Sequence, residues 1–189
     1  MPALQVDTAV KGLSDESREL AATAESYGFD GIFTPEMDED PFLPLGPIAG
    51  ATAEIDVGTR IATSFTRSPM VLAYMAWDLQ RYSDGRMVLG LGTQVKGHNE
   101  RRFDVDFEWE RPGPRLREEV LALGHIFDVF QGEADDLDFE GEFYEFSLMT
   151  DEFRPEPFDS GGSLSPKIGD FRDDERAIVC VTRFPTLED

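Results

Sequence analysis

The chain has 189 residues, 40% of them hydrophobic, and carries 39 Asp and Glu against 17 Lys and Arg, a net charge of −22 at pH 7. That apolar content supports one core of ordinary size and excludes wholesale disorder. The charge excludes a nucleic-acid partner, which needs clustered cations, and disfavours anionic membrane surfaces. No apolar run reaches the roughly 18 residues needed to span a bilayer. The opening MPALQVDTAV has no cationic stretch followed by an apolar one, so a cytoplasmic location is expected. The single cysteine, Cys180, cannot form an internal disulfide.

A first strand is expected at Leu4 to Ala9. The helix after it can be capped by Ser14, with Asp15 and Glu16 at its positive end and Leu20, Ala21, Ala24 and Tyr27 at helical spacing. Gly28 supplies its stop. A second strand follows at Gly31 to Thr34, then a short helix from Leu45. A third strand is read at Arg60 to Phe65. Pro69 opens a long helix whose apolar face is read as Val71, Leu72, Met75, Ala76, Leu79 and Tyr82. Gly85 closes that helix, and Met87 to Leu91 reads as a fourth, buried strand. Short apolar strands alternating with helices argue for a parallel sheet with crossover helices. Beyond these four βα units, Gly92 to Pro114 reads as a loop, Arg115 to Phe130 as a helix and Leu137 to Phe146 as a surface hairpin. From about Asp159 the chain has no period and many breakers, with AIVCV the one later strand candidate.

Polar residues near strand ends are the candidates for a site, because in βα architectures those ends form the binding face. They are Asp7, Glu36 and the segment Ser64, Phe65 and Thr66; each can equally be a turn or cap residue. Gly90 to Val95 (GLGTQV) holds half of a dinucleotide fingerprint and lacks its third glycine, so it fits a ligand approach or a tight turn. GHNERRF gathers His98, Arg101 and Arg102 in a chain short of cations. Paired guanidinium groups suit a phosphate or carboxylate, and local pairing with Glu100, Asp104 and Asp106 is the other possibility. The two histidines, His98 and His125, lie in no metal-ligand spacing, so no metal is expected.

Several stretches together resemble the bacterial-luciferase-like flavin and deazaflavin oxidoreductases, in particular the coenzyme F420-dependent branch. They are AESYGFDGIFTPE (24–36), DPFLPL (40–45), RSPMVLAYMAWDLQRYSDGRMVLGLGTQVKGHNERRF (67–103) and GEFYEFSLMT (141–150). The resemblance implies an α/β fold of the TIM-like (β/α)8 barrel family, here a partial barrel of about four βα units plus an insertion. Residues 1–157 would be its amino-terminal part, and 158–189 an unrelated, irregular tail. It further implies hydride transfer to or from a small organic substrate, with coenzyme F420 as cofactor. An FMN-dependent monooxygenase and an inactive fragment are the alternatives. By the same resemblance Glu36 would sit beside the ring, and Ser64 to Thr66 would form a bulged strand end where many members carry a non-prolyl cis peptide. Thr93 and Gln94 would border the pocket, and His98, Arg101 and Arg102 would lie above it. A sheet ending after four strands would leave Leu4 to Ala9 and Met87 to Leu91 as open edges, with Ile61, Phe65, Val88 and Leu91 facing an unfilled interior. The chain is therefore expected to be a shortened product that forms homo-oligomers or aggregates and transfers no hydride alone.

The charge composition supplies a first test. Three lysines accompany fourteen arginines, and with the acid excess this reads as a halophilic habit. Molar salt shrinks the Debye length to about 3 Å and screens repulsion among exposed acids. The melting temperature is thus expected to rise steeply from low salt to molar KCl by scanning calorimetry; a salt-indifferent value would refute the halophilic reading.

Overall fold

The computed structural model describes residues 4–105 and 111–158, and the backbone of 179–183. Five strands follow the order β1-β2-β3-β5-β4: β1 (Asp7–Ala9), β2 (Gly31–Thr34), β3 (Asp56–Thr59), β4 (Ala62–Thr63) and β5 (Met87–Gly92). All neighbours on that path are parallel, with Ala9 beside Phe33, Phe33 beside Gly58 and Gly58 beside Val88. The helices between them are α1 (Asp15–Ser26), α2 (Leu45–Ala51) and α3 (Pro69–Tyr82). After β5 come α4 (Lys96–Arg102), α5 (Pro112–Gln131) and the antiparallel pair β6 (Phe139–Glu140) and β7 (Glu145–Phe146). The last strand, β8 (Val179–Arg183), overlaps the AIVCV candidate and runs antiparallel along β5.

Local chemistry accounts for the helix starts. Ser14 is extended and its Oγ accepts from Ser17 N at 3.1 Å; Ser68 does the same for Val71 N at 3.3 Å, with Pro69 at the first helical position. Gly28 and Gly132 take positive φ where α1 and α5 stop. The buried stripe of α1 is Ser17, Ala21 and Ala24, whereas Leu20 and Tyr27 are 44% and 79% exposed. Leu20 and Tyr27 share a line about 100° away around the helix, which explains the departure from the predicted face. On α3 the buried stripe is Leu72, Ala73, Ala76, Trp77 and Gln80, and Val71 and Tyr82, on the opposite side of the helix, are exposed.

Alternation divides the sheet into two faces. Ile32, Val57, Met87, Leu89 and Leu91 point into the helix-side core with Leu45, Ile48, Leu72, Trp77, Leu116, Phe127 and Phe130. Trp77 stacks on Phe127 at 6.0 Å and meets Phe130 edge-on at 5.4 Å, joining α3 to α5. Phe33, Gly58, Val88 and Gly90 fall on the opposite face. Leu91 and Phe65, expected inside the barrel, belong to the helix-side core, since Leu91 is in phase with Leu89 and not with Val88.

Four other expectations change. The third strand is β3, four residues before the predicted start, and Gly58 is why the short, polar-flanked DVGT does not read as a strand. A Cβ at Gly58 would meet Val88 O at 2.1 Å, so strong strand formers cannot stand there. The chain then leaves the ladder: Thr59 Oγ1 donates to Gly90 O at 2.7 Å and accepts from Gly90 N at 3.0 Å, and pairing resumes only at Ala62 beside Leu91. The cis peptide lies in this detour, at Arg60-Ile61, and Ser64–Thr66 is one turn of 3-10 helix. Inside the predicted loop, Lys96–Arg102 is helical, with Asn99 Nδ2 donating to Thr93 O at 2.8 Å. Finally, β5 is not an open edge, because β8 pairs along it; β1 remains at the sheet's end.

Gly90 has the same constraint as Gly58, its Cβ position lying 2.1 Å from Thr59 O. Gly90→Ala is expected to destabilise the chain by about 1 to 3 kcal/mol through backbone overpacking, read as a lowered urea midpoint. Gly46→Ala, with nothing within 4 Å, is the control. Equal midpoints would mean that β3 and β5 part freely.

Candidate ligand pocket at the strand carboxyl ends

The segments that follow β1, β2 and β5 converge on a pocket of about 410 Å³ lined by Lys11, Glu36, Met37, Asp38, Gln94, His98 and Arg102. Lys11 arrives two residues past β1, and Glu36 to Asp38 just past β2. Gln94 follows β5 with φ of 58°. His98 and Arg102 are four apart on α4, hence on one side of it. Lys11 Nζ pairs with Asp38 at 2.6 Å, while the Arg102 guanidinium donates to Met37 O and lies over the Phe103 ring at 4.6 Å. Lys11, Arg102, the His98 imidazole and the Gln94 amide thus share one concavity with the carboxylates of Glu36 and Asp38.

Glu36 is more than a lining residue. Its Oε2 accepts from Thr63 N at 2.6 Å and from Arg67 at 2.9 Å, and its Oε1 accepts from the other Arg67 nitrogen at 2.9 Å. Arg67 reaches Asp40 at 3.3 Å and covers Phe42 at 5.2 Å. The Glu36 and Arg67 side chains are only 6% and 16% exposed, so this bidentate pair is shielded from water. It ties the end of β2 to β4 and to the start of α3.

On the other side of the same segment lies a second polar cluster. Ser64 Oγ donates to Glu119 Oε2 at 2.7 Å, and Tyr144 OH stands 3.5 Å from that oxygen. Arg115 Nε donates to Tyr144 OH at 3.2 Å, its guanidinium over the Phe65 and Tyr144 rings at 5.3 and 5.2 Å. Burial pushes the Glu119 carboxyl up to about 7, against the pull of Ser64 and Arg115. Burial, then the neighbouring Glu119, raises the Tyr144 phenol as well.

Of the predicted site residues, Glu36, Gln94, His98 and Arg102 come together in the pocket. Arg101 is exposed on α4 and outside the lining. Thr93 is buried beside the pocket, its hydroxyl donating to Gln94 O at 3.1 Å. Ser64 and Phe65 are buried in the second cluster, and Thr66 Oγ1 turns back to Thr63 O at 2.9 Å. Asp7 sits at the amino end of β1, away from the pocket, with Arg60 at 3.8 Å. Lys11, Met37 and Asp38 were not singled out from sequence, although a lysine two residues past a strand is a readable signal. Glu119 also left a signal: an acid set among the apolar positions Leu116, Val120 and Leu123.

A parallel sheet backed by helices, with a polar pocket where its strands end, is the arrangement found in βα-barrel proteins. The chain belongs to the luciferase-like monooxygenase family, whose model matches residues 4–168. It is 44% identical over 154 residues to an uncharacterized protein of Mycobacterium tuberculosis, covering 82% of this chain and 44% of that one. It is 28% identical over 151 residues to the F420-dependent glucose-6-phosphate dehydrogenase of Nakamurella multipartita, covering 74% and 43%. The fold is similar to that of the oxygenating constituent of 3,6-diketocamphane monooxygenase from Pseudomonas putida, solved in complex with FMN. The TM-score there is 0.63 at 17% identity, over 82% of this chain and 49% of that one. The chain thus spans about half the length of the curated relatives it matches, and its sheet is part of the barrel. No helix among the described residues is long and apolar enough to cross a membrane.

The Glu36–Arg67 pair supplies a direct test. Glu36→Ala leaves a shielded guanidinium and the Thr63 N–H without their acceptor, and removing one partner of a buried pair costs about 3 to 5 kcal/mol. A loss near 3 kcal/mol in chemical denaturation is expected; a loss under about 1 kcal/mol would mean the pair behaves as an exposed one.

Proposed function

We propose that the chain carries the cofactor face of a coenzyme F420-dependent oxidoreductase that moves hydride to or from a small organic substrate. The observation that carries this reading is the pocket in which Lys11, Gln94, His98 and Arg102 converge past the carboxyl ends of β1 and β5. Its volume of about 410 Å³ falls within the usual range for small-molecule sites. The donor set suits a polar, anionic ligand, since guanidinium, ammonium and primary amide groups all donate to carbonyl, phosphate or carboxylate oxygens. Gln94 is held in the left-handed region, where a non-glycine residue costs about 1 kcal/mol, and such outliers cluster at ligand sites. The family membership and the F420-dependent relative favour a deazaflavin over other anionic ligands.

In this reading Arg102 and Lys11 attract and orient the ligand, and each already has a protein oxygen to hold it in place, Met37 O and Asp38 respectively. Gln94 supplies a directional donor and acceptor at the pocket edge. His98 places an imidazole, a group that can give or take a proton, beside the ligand. Glu36, with both oxygens engaged by Arg67 and Thr63, is a strut that fixes the pocket wall. A bound deazaflavin would supply the hydride chemistry at this face.

Fluorescence titration of the full chain in molar KCl tests the reading. Oxidised coenzyme F420 is expected to bind more tightly than FMN, and Gln94→Ala to weaken it about tenfold, the loss of roughly one good hydrogen bond. Tighter FMN binding would move the assignment to the FMN-dependent monooxygenases of the family. Binding of neither would favour a chain without catalytic function.

A further inference from the structure

The cluster around Glu119 has no part in the cofactor reading, and its geometry has a purpose of its own to explain. Glu119 is fully buried on α5, yet its two oxygens are treated unequally. Oε2 receives Ser64 Oγ at 2.7 Å and faces Tyr144 OH at 3.5 Å. Oε1 has no hydrogen-bond partner among the described residues. The preceding residue, Glu118, points the other way and accepts the backbone N–H groups of Glu142, Phe143 and Tyr144 at 2.6 to 2.9 Å. Two consecutive residues of one helix therefore hold the hairpin connection and the Ser64–Thr66 turn, and Tyr144 sits where the two meet.

We propose that Glu119 is a protonation-dependent positioning residue that couples the Ser64–Thr66 turn to the β6–β7 hairpin, holding both against α5 while its carboxyl is neutral and releasing them when it ionises. A neutral carboxyl can share its proton with Ser64 or Tyr144 and tolerates one unmet oxygen. An anion in the same place needs water or a donor at Oε1, which the packing of α5, turn and hairpin excludes. Admitting that water requires the turn or the hairpin to move. Among the described residues, the groups that face Glu119 are Arg115 from its own helix, Tyr144 from the hairpin and the uncharged Ser64 from the turn. Arg115 favours the anion and burial opposes it, which brings the transition near neutrality. The ordinary glutamate value is 4.5 and the folded value about 7. The folded state thus binds this proton more tightly, and the stability it contributes is present below pH 4.5 and lost as the pH rises through about 7.

Hydrogen exchange by mass spectrometry on the full chain, from pH 5.5 to 8.5 with intrinsic rates corrected, tests the coupling. Protection of peptides covering 62–66 and 139–146 is expected to fall about tenfold across neutrality, while α1 holds its protection. Glu119→Gln, which keeps the size and the hydrogen bonding without the charge, is expected to stay at the low-pH level throughout. Parallel pH profiles in the two proteins, or loss of α1 protection in step, would overturn the proposal. Its consequence for the pocket rests on the cofactor reading: coenzyme F420 affinity is expected to drop over the same range in the wild type and not in Glu119→Gln. A chain that binds no cofactor at any pH refutes that reading alone, because the exchange profiles still decide the coupling.

Discussion

The arrangement depends on how the segment from Thr59 to Thr66 is held after it leaves the sheet. It departs because Thr59 takes over both backbone groups of Gly90 with its hydroxyl, so β3 cannot run on in register with β5. A detour of this kind has few ladder hydrogen bonds of its own and would be free to move. Two shielded carboxylic groups replace them. Glu36 accepts from Thr63 N and anchors Arg67; Glu119 accepts from Ser64 one residue later. Side-chain acceptors thus hold this segment where sheet pairing holds the strands elsewhere.

The two acids solve the same problem with opposite electrostatics. Glu36 is matched by a bidentate guanidinium, with Asp40 as second acceptor for Arg67. Glu119 has Arg115 nearby, but that guanidinium also stacks on Phe65 and Tyr144, and the carboxyl is raised to about 7. A buried acid with an unmet oxygen and no bidentate partner favours its neutral form.

Much of this was legible in the sequence, and the boundary is instructive. Ser14, Ser68 and Pro69 announce α1 and α3 because capping is a local event within four residues. The alternation of βα units gave the parallel sheet, and family-like stretches pointed to Glu36, Gln94, His98 and Arg102, which the fold brings together. What escaped was set at a distance. Asp56–Thr59 looks unlike a strand because Gly58 answers to the Val88 carbonyl, thirty residues on. Phe65 reads as a barrel-lining residue until Arg115 and the helix-side core claim it. The helical turn at Lys96 is secured by Asn99 bonding back to Thr93, a contact with no sequence periodicity to betray it. The contribution of Glu119 depends on Ser64 and Tyr144, 55 and 25 residues away.

Charge economy links the pocket to the rest of the chain. With 17 basic residues against 39 acids, each cation has many possible partners on the surface, where a pair contributes little. Several are placed instead where a definite acceptor or ring fixes them: Arg67 on Glu36, Arg86 on the carbonyls of Ala49, Thr52 and Ile55, Arg115 among three aromatic rings, and Arg102 on Met37 O. Arg86 and Arg67 brace opposite ends of the sheet, one below β3 and one above β2. Lys11 and Arg102 stand with His98 in a cavity that they share with the carboxylates of Glu36 and Asp38. The long-range repulsion that so acidic a chain exerts on an anionic ligand weakens with salt faster than short-range hydrogen bonds from such donors do. High ionic strength would therefore favour both the compact fold and access to the pocket, so the acid excess and the placement of the few cations act in the same direction.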